Sequence, residues 1–190
     1  MPQGPPDVMR AFVAIDLPPL EDPILDGLRP EDHVTLHFFE ELPIPRVASA
    51  VDAIAEAAAP IGPFDLELRG VGAFPTLPRP RVVWAGIGTG SDTLQSLVNR
   101  LRIALAARGF LVEHRPFVPH LTLSRIRSSR GAVWAREFLA RPENLTRVWV
   151  RARVTEILLK ESELLPVGAR HTVRARVPLR PAPGSPPAAV

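Results

Sequence analysis

Apolar and polar positions divide the chain into short segments of two different periods. Residues 10–17, RAFVAIDL, are almost continuously apolar and predict a buried strand, which Pro18, Pro19 and Pro23 then interrupt. Residues 33–39 predict a second strand. Between residues 45 and 59 the period changes, with Val47, Ala50, Val51, Ile54 and Ala58 on one helical stripe. Residues 64–69, FDLELR, alternate as a half-exposed strand. Gly70, Gly72, Pro75, Pro78 and Pro80 predict a loop, and residues 81–87 a further strand.

A long helix is expected over residues 91–107, with Ser91 as its N-cap and Gly109 as its stop. Leu94, Leu97, Val98, Leu101 and Leu105 form its apolar face. Residues 120–126 read as a strand, and 132–140 as a short helix ending before Pro142. From 147 to 154 the alternation is strict: Val148, Val150, Ala152 and Val154 oppose Arg147, Trp149, Arg151 and Arg153. This strand is expected to continue through Leu159. Residues 171–179 supply the last strand.

Strands and helices mix without regular βαβ alternation, which predicts an α+β fold with largely antiparallel sheets. Each half carries strands, a helix and one similar motif, so a two-lobed pseudo-repeat is expected. The Pro-rich ends, residues 1–9 and 180–190, read as disordered tails around one domain spanning 10–179.

Composition narrows the function. With 46% apolar and 23% charged residues over 190 positions, the chain reads as globular. No apolar run approaches the ~20 residues that span a bilayer, and the N-terminus lacks a signal-peptide pattern. The absence of cysteine excludes disulfides and thiolate metal sites and suits a cytoplasmic protein. The net charge is only +3, yet the sequence pI is about 10.7. The cations are nearly all arginine, with Lys160 the only lysine, and arginine stays charged at high pH. A GC-rich coding bias that also favours Pro and Ala accounts for most of them, and a phosphate-binding subset fits within that bias.

Two copies of His-x-Thr-Leu stand out: HVTLHFF from His33 and HLTLSRI from His120, 87 residues apart. On a strand, residues i and i+2 share a face, so His33 and Thr35 point together, as do His120 and Thr122. Val34, Leu36, Leu121 and Leu123 point into the core. Two such copies across a cleft would surround a small anion with two imidazoles and two hydroxyls. That set suits phosphodiester hydrolysis, in which one group takes a proton from water and another gives one to the leaving oxygen. The hydroxyls donate to phosphate oxygens, and no metal or cofactor is required.

The sequence resembles the two-histidine phosphoesterase superfamily, and within it the RNA 2′,3′-cyclic phosphodiesterases, also called 2′-5′ RNA ligases. Four segments carry the likeness: RAFVAIDLP from Arg10, HVTLHFFEEL from His33, PHLTLSRIR from Pro119 and HTVRARVPL from His171. The resemblance implies a bilobal fold with two sheets facing a central groove, helices outside, and one HxT from each lobe. It implies hydrolysis of a 2′,3′-cyclic phosphate to a 2′-phosphate, with His33 as proton donor, His120 as proton acceptor, and Thr35 and Thr122 on the phosphate. A weak reverse 2′-5′ ligation is implied too. The expected partner is RNA with a cyclic phosphate end or a small cyclic nucleotide, bound by a monomer away from membranes. A cyclic nucleotide or ADP-ribose cyclic phosphate as substrate, or a binding module without turnover, are the competing readings. Two departures from the family are visible. The stretch from Leu17 to His33 is short and Pro-rich, so its helix is expected to shrink to a turn. His37 and Glu40 replace the family's usual Lys and Gly.

Arg125 sits where the family favours a substrate-binding arginine, although strict alternation turns it away from His120. A bulge there would remove the conflict. Arg127 is the weaker candidate. His37 reads as a solvated strand residue, and His114 and His171 as ordinary surface or strand positions. A zinc site from His33, His37, His114 and His120 would leave the paired threonines unexplained. Trp84, Trp134 and Trp149 read as core or edge packing. Arg147, Arg151 and Arg153 fit either an RNA backbone contact or a solvated sheet face.

Overall fold

The apolar opening segment becomes the interior strand of a sheet. The computed structural model describes residues 8–25, 28, 30–166 and 168–181; residues 1–7 and 182–190, most of the expected tails, lie outside the described residues. β1 (Val8–Asp16) starts two residues ahead of the sequence expectation because Met9 is already buried. It pairs with β2 (His33–Pro43) on one side and β7 (Glu156–Leu165) on the other, and β8 (Gly168–Pro178) follows β7. A second sheet has the order β5 (His120–Arg125), β4 (Arg79–Ile87), β3 (Phe64–Thr76) and β6 (Val148–Val154). All pairings are antiparallel.

The bilobal α+β reading therefore holds, but the lobes are not the two halves of the chain. β6 stops at Val154, and β7 joins the first sheet. The strand expected to run unbroken from 147 through Leu159 is two strands split at Thr155, because Val154 faces Phe64 at the sheet's end while Ile157, Leu158 and Leu159 are buried in the other lobe.

The expected loop from Gly70 to Pro80 is also corrected. β3 and β4 form a long hairpin with its turn at 77–78, and Pro75 faces Pro80 near the tip. Gly70, at φ 67°, is the unpaired residue of a bulge that lets the strand continue.

Four α-helices pack on the sheets among the described residues. α1 (Val47–Ala58) follows a 3₁₀ turn at Ile44–Arg46 and lies against α2 (Ser91–Ala107) and against β7 and β8. The five leucine and valine positions expected on the α2 face are all buried. Its N-cap is Gly90 rather than Ser91: Gly90 is left-handed, and a Cβ there would meet the Asp65 carbonyl oxygen at 2.7 Å. α3 (Ser129–Ala140) begins three residues earlier than expected, because the Ser128 hydroxyl accepts from the Gly131 N–H at 3.1 Å. α4 (Pro142–Thr146) follows with a proline in its first turn, the one helix the periodicity did not reveal. Before His33 the described residues hold a short 3₁₀ turn, Pro23–Leu25; residues 26, 27 and 29 of the stretch expected to shrink to a turn lie outside the described residues. Among the described residues, no helix is long and apolar enough to cross a membrane.

Candidate functional site

The two His-x-Thr-Leu motifs begin the edge strands β2 and β5, which lie beside each other where the sheets meet. The registers contain the same irregularity in both. Val13 faces His37 and Ala14 faces Thr35, so Leu36 is an extra residue in β2. Trp84 faces Thr122 and Val83 faces Ser124, so Leu123 is an extra residue in β5. Each bulge falls on the fourth residue of its motif, and each of these leucines is buried. A bulge inverts the facing of every residue beyond it on the strand. Phe38 and Arg125, each five residues after its histidine, therefore return to the groove side.

This resolves the conflict over Arg125 and corrects the reading of His37. Arg125 lines the same cavity as His33 and Thr35. His37 turns into the core, where its ring meets Phe39 edge-on at 4.5 Å and its Nε2 has no partner among the described residues. Burial, with Arg102 nearby, lowers its pKa to about 4. The four histidines of the zinc reading thus do not converge, and His114 is exposed. Among the described residues no group of three or more potential ligands is placed to hold a metal ion.

The cavity has a volume of about 620 Å³. Its walls carry Arg10, Phe12, Glu31, His33, Thr35, Phe38, Arg125 and Arg127, and the β7–β8 tip closes it with Leu164, Leu165 and Pro166. His33 is only 4% exposed, its ring between Phe12 at 4.8 Å and His171 at 5.1 Å. Its Nδ1 lies 2.9 Å from the Asp32 carboxylate. That hydrogen bond lowers the Asp32 pKa to about 2, so the carboxylate stays ionised through the neutral range.

His120 and Thr122 do not line this cavity; they stand beside it on β5, Thr122 buried and His120 partly so. His120 packs on Phe74 at 5.0 Å and on Trp84 at 6.0 Å. Its Nδ1 is 2.7 Å from the Val118 carbonyl oxygen, which can only accept, so Nδ1 carries the hydrogen and Nε2 keeps a lone pair. Burial lowers the His120 pKa below its ordinary value. Trp84 in turn lies flat over Gly72, where a Cβ would meet its ring at 2.2 Å. Gly72→Ala is expected to displace the ring and cost about 1–3 kcal/mol, read as a lowered thermal midpoint.

Glu31 ties the two motifs together. Its N–H donates to the Thr122 carbonyl at 2.8 Å, one carboxylate oxygen accepts from Arg125 at 2.7 Å, and the other lies 3.8 Å from His33 Nε2.

Two further features, at His171 and Lys160, were not legible in the sequence, while Trp149 packs as expected but on a face that strict alternation did not give. His171 lines the cavity and touches both Phe12 and His33, which corrects its reading as an ordinary strand position. The one sequence signal was its place at the head of the closing HTV segment; its facing depends on the pairing of Ser162 with His171. Lys160 is buried, pairs in register with Phe12 and donates to Asp16 at 2.8 Å. Trp149 leaves the Arg-rich face of β6, because the register slips there between Leu68 and Arg69; its indole donates to the Gly70 carbonyl at 2.9 Å. Arg151 and Arg153 pair with Glu67 and Asp65, and Arg147 with Asp22, so that face is neutralised by carboxylates.

A two-lobed fold that sets a matching His-x-Thr on each of two adjoining edge strands is that of a two-histidine phosphoesterase. Residues 22–159 match the family model of the 2′-5′ RNA ligase superfamily, and the chain belongs to that family. It is 31% identical over 179 residues to the RNA 2′,3′-cyclic phosphodiesterase of Methanothermobacter thermautotrophicus, covering 86% of this chain and 95% of that protein. It is 40% identical over 99 residues to the Aeropyrum pernix protein of the same name, a match spanning 52% of this chain and about half, 55%, of that protein. The crystal structure of E. coli LigT complexed with 3′-AMP superposes with a TM-score of 0.66 at 27% identity, over 90% of this chain and 98% of that one.

Proposed function

We propose that this chain hydrolyses the 2′,3′-cyclic phosphate end of RNA to a 2′-phosphate by acid–base catalysis without a metal. The observation that carries the reading is the asymmetry of the two imidazoles. Both are held by a hydrogen bond at Nδ1 and have Nε2 left for chemistry, but the partner of His33 is an ionised carboxylate and the partner of His120 is a neutral carbonyl. A ring oriented by a carboxylate at Nδ1 is placed to deliver a proton from Nε2. A ring buried on Phe74 and Trp84 is suited to stay neutral and accept one.

In the hydrolytic step, His120 Nε2 takes a proton from water as its oxygen bonds to phosphorus. The bond from phosphorus to the 3′ oxygen breaks, and His33 Nε2 protonates that oxygen. The products are a 3′-hydroxyl and a 2′-phosphate, and proton exchange with solvent resets both rings. Thr35, Thr122 and Arg125 donate to the phosphate oxygens as their charge redistributes, Arg125 exchanging Glu31 for the substrate. With the 5′-hydroxyl of a second RNA in place of water, the same transfers give weak 2′-5′ ligation: His120 takes the hydroxyl proton as its oxygen bonds to phosphorus, and His33 protonates the departing 3′ oxygen.

The test is the pH–rate profile of a cyclic-phosphate-ended oligonucleotide with EDTA present. Activity is expected to survive EDTA and to be bell-shaped. His120 acts only when neutral, and burial holds its pKa down, so the acid limb is expected below the ordinary histidine value of about 6.5. The limbs belong to the coupled pair. Loss of turnover in EDTA, restored by zinc or magnesium, overturns the mechanism.

A further inference from the structure

Not every arginine is tied to a carboxylate. Those along the outer strands are neutralised: Arg151 by Glu67, Arg153 by Asp65, Arg174 by Glu161 and Arg176 by Glu156. Arg127 and Arg130 meet no carboxylate within 4.0 Å among the described residues, and both are exposed. They gather at one place. A second groove, about 490 Å³, runs from the end of β5 to the start of α3 and is lined by Arg125, Arg127, Arg130, Ser128 and Trp134. It shares Arg125 and Arg127 with the catalytic cavity, so the two adjoin. The first turn of α3 contains no acidic residue to offset this charge. Trp134 adds an indole held by stacking on Phe138 at 5.1 Å.

We propose that this groove binds the phosphodiester and nucleoside on the 5′ side of the cyclic-phosphate end, so that the protein selects RNA oligonucleotides over free cyclic nucleotides. The inference rests on the RNA reading of the catalytic cavity and names its substrate class. A cyclic phosphate closes the 3′ end of a strand, so the remainder of an RNA leaves the cavity through its 5′ phosphate. Arg127 and Arg130 offer planar donor forks to that phosphate, and an indole accepts the face of any base. A free cyclic nucleotide has nothing to place there.

The experiment compares a 2′,3′-cyclic mononucleotide with a trinucleotide ending in a 2′,3′-cyclic phosphate. Arg130→Glu is expected to raise KM for the trinucleotide about tenfold and to leave mononucleotide turnover unchanged. Arg136→Glu, on the same helix but outside the groove, controls for net charge and should leave both unchanged. Equal losses on both substrates, no loss on the trinucleotide, or equal damage from Arg136→Glu overturn the proposal. A binding arm separates it from the catalytic reading. Fluorescence anisotropy with a labelled RNA ending in a 3′-phosphate needs no turnover. Arg130→Glu should weaken this binding and flatten the slope of log affinity against log salt by about 0.7 for each phosphate no longer neutralised. If the wild type binds this RNA through Arg130 but turns over neither substrate, the groove stands and the catalytic reading falls. If it turns over both and Arg130→Glu changes nothing, the groove falls and the catalytic reading stands.

Discussion

His120→Ala is expected to lower kcat by about 10²–10⁴-fold, the range for a positioned acid or base, with little change in KM. The side chain is only partly buried and its motif neighbours Leu121 and Leu123 anchor β5, so the thermal midpoint should change little. Loss of the base also removes the acid limb of the pH–rate profile, leaving residual activity flat on that side. His33→Ala is expected to cost turnover on the same scale. It should cost stability too, because the ring fills space between Phe12 and His171. His33→Gln, closer in volume, separates the two effects: stability should largely return while turnover does not. A purified His120→Ala or His33→Gln protein within a few-fold of wild-type kcat would overturn the acid–base assignment.

The second large effect concerns stability. Asp16→Ala is expected to cost roughly 3 kcal/mol, as typical for a buried ion pair that loses one member. Lys160 is enclosed next to Phe12, and without Asp16 its ammonium loses its hydrogen-bonded carboxylate and keeps the more distant Asp32 as counter-charge. Lys160→Met should cost far less, because the Asp16 side chain left behind is 41% exposed and water can solvate it. The pair therefore predicts an inequality rather than a single number. For a domain of this size each kcal/mol moves the thermal midpoint by about 2–4 °C, so the two variants should differ by several degrees. Equal midpoints, or a larger loss in Lys160→Met, would mean that the ion pair is not what holds β7 to β1 at this point.

The sequence alone determined the local elements and the chemistry of the motifs. A period of two or of 3.6 depends only on neighbours along the chain, so β1, β2, the buried face of α2 and the strand at His120 were all legible. So was the pairing of His33 with Thr35 and of His120 with Thr122, because i and i+2 share a face on any unbulged strand. The tertiary structure decided which face each later residue took. The bulges at Leu36 and Leu123 are visible only in the register against Val13 and Ala14, and Val83 and Trp84; they sent His37 inward and returned Arg125 to the cavity. His171 and Lys160 became parts of the site's surroundings through pairing across strands far apart in sequence. The splitting of 147–159 between two sheets has the same origin. Alternation records that a side chain is buried, but not which sheet buries it, and a one-residue slip in pairing inverts every side chain beyond it.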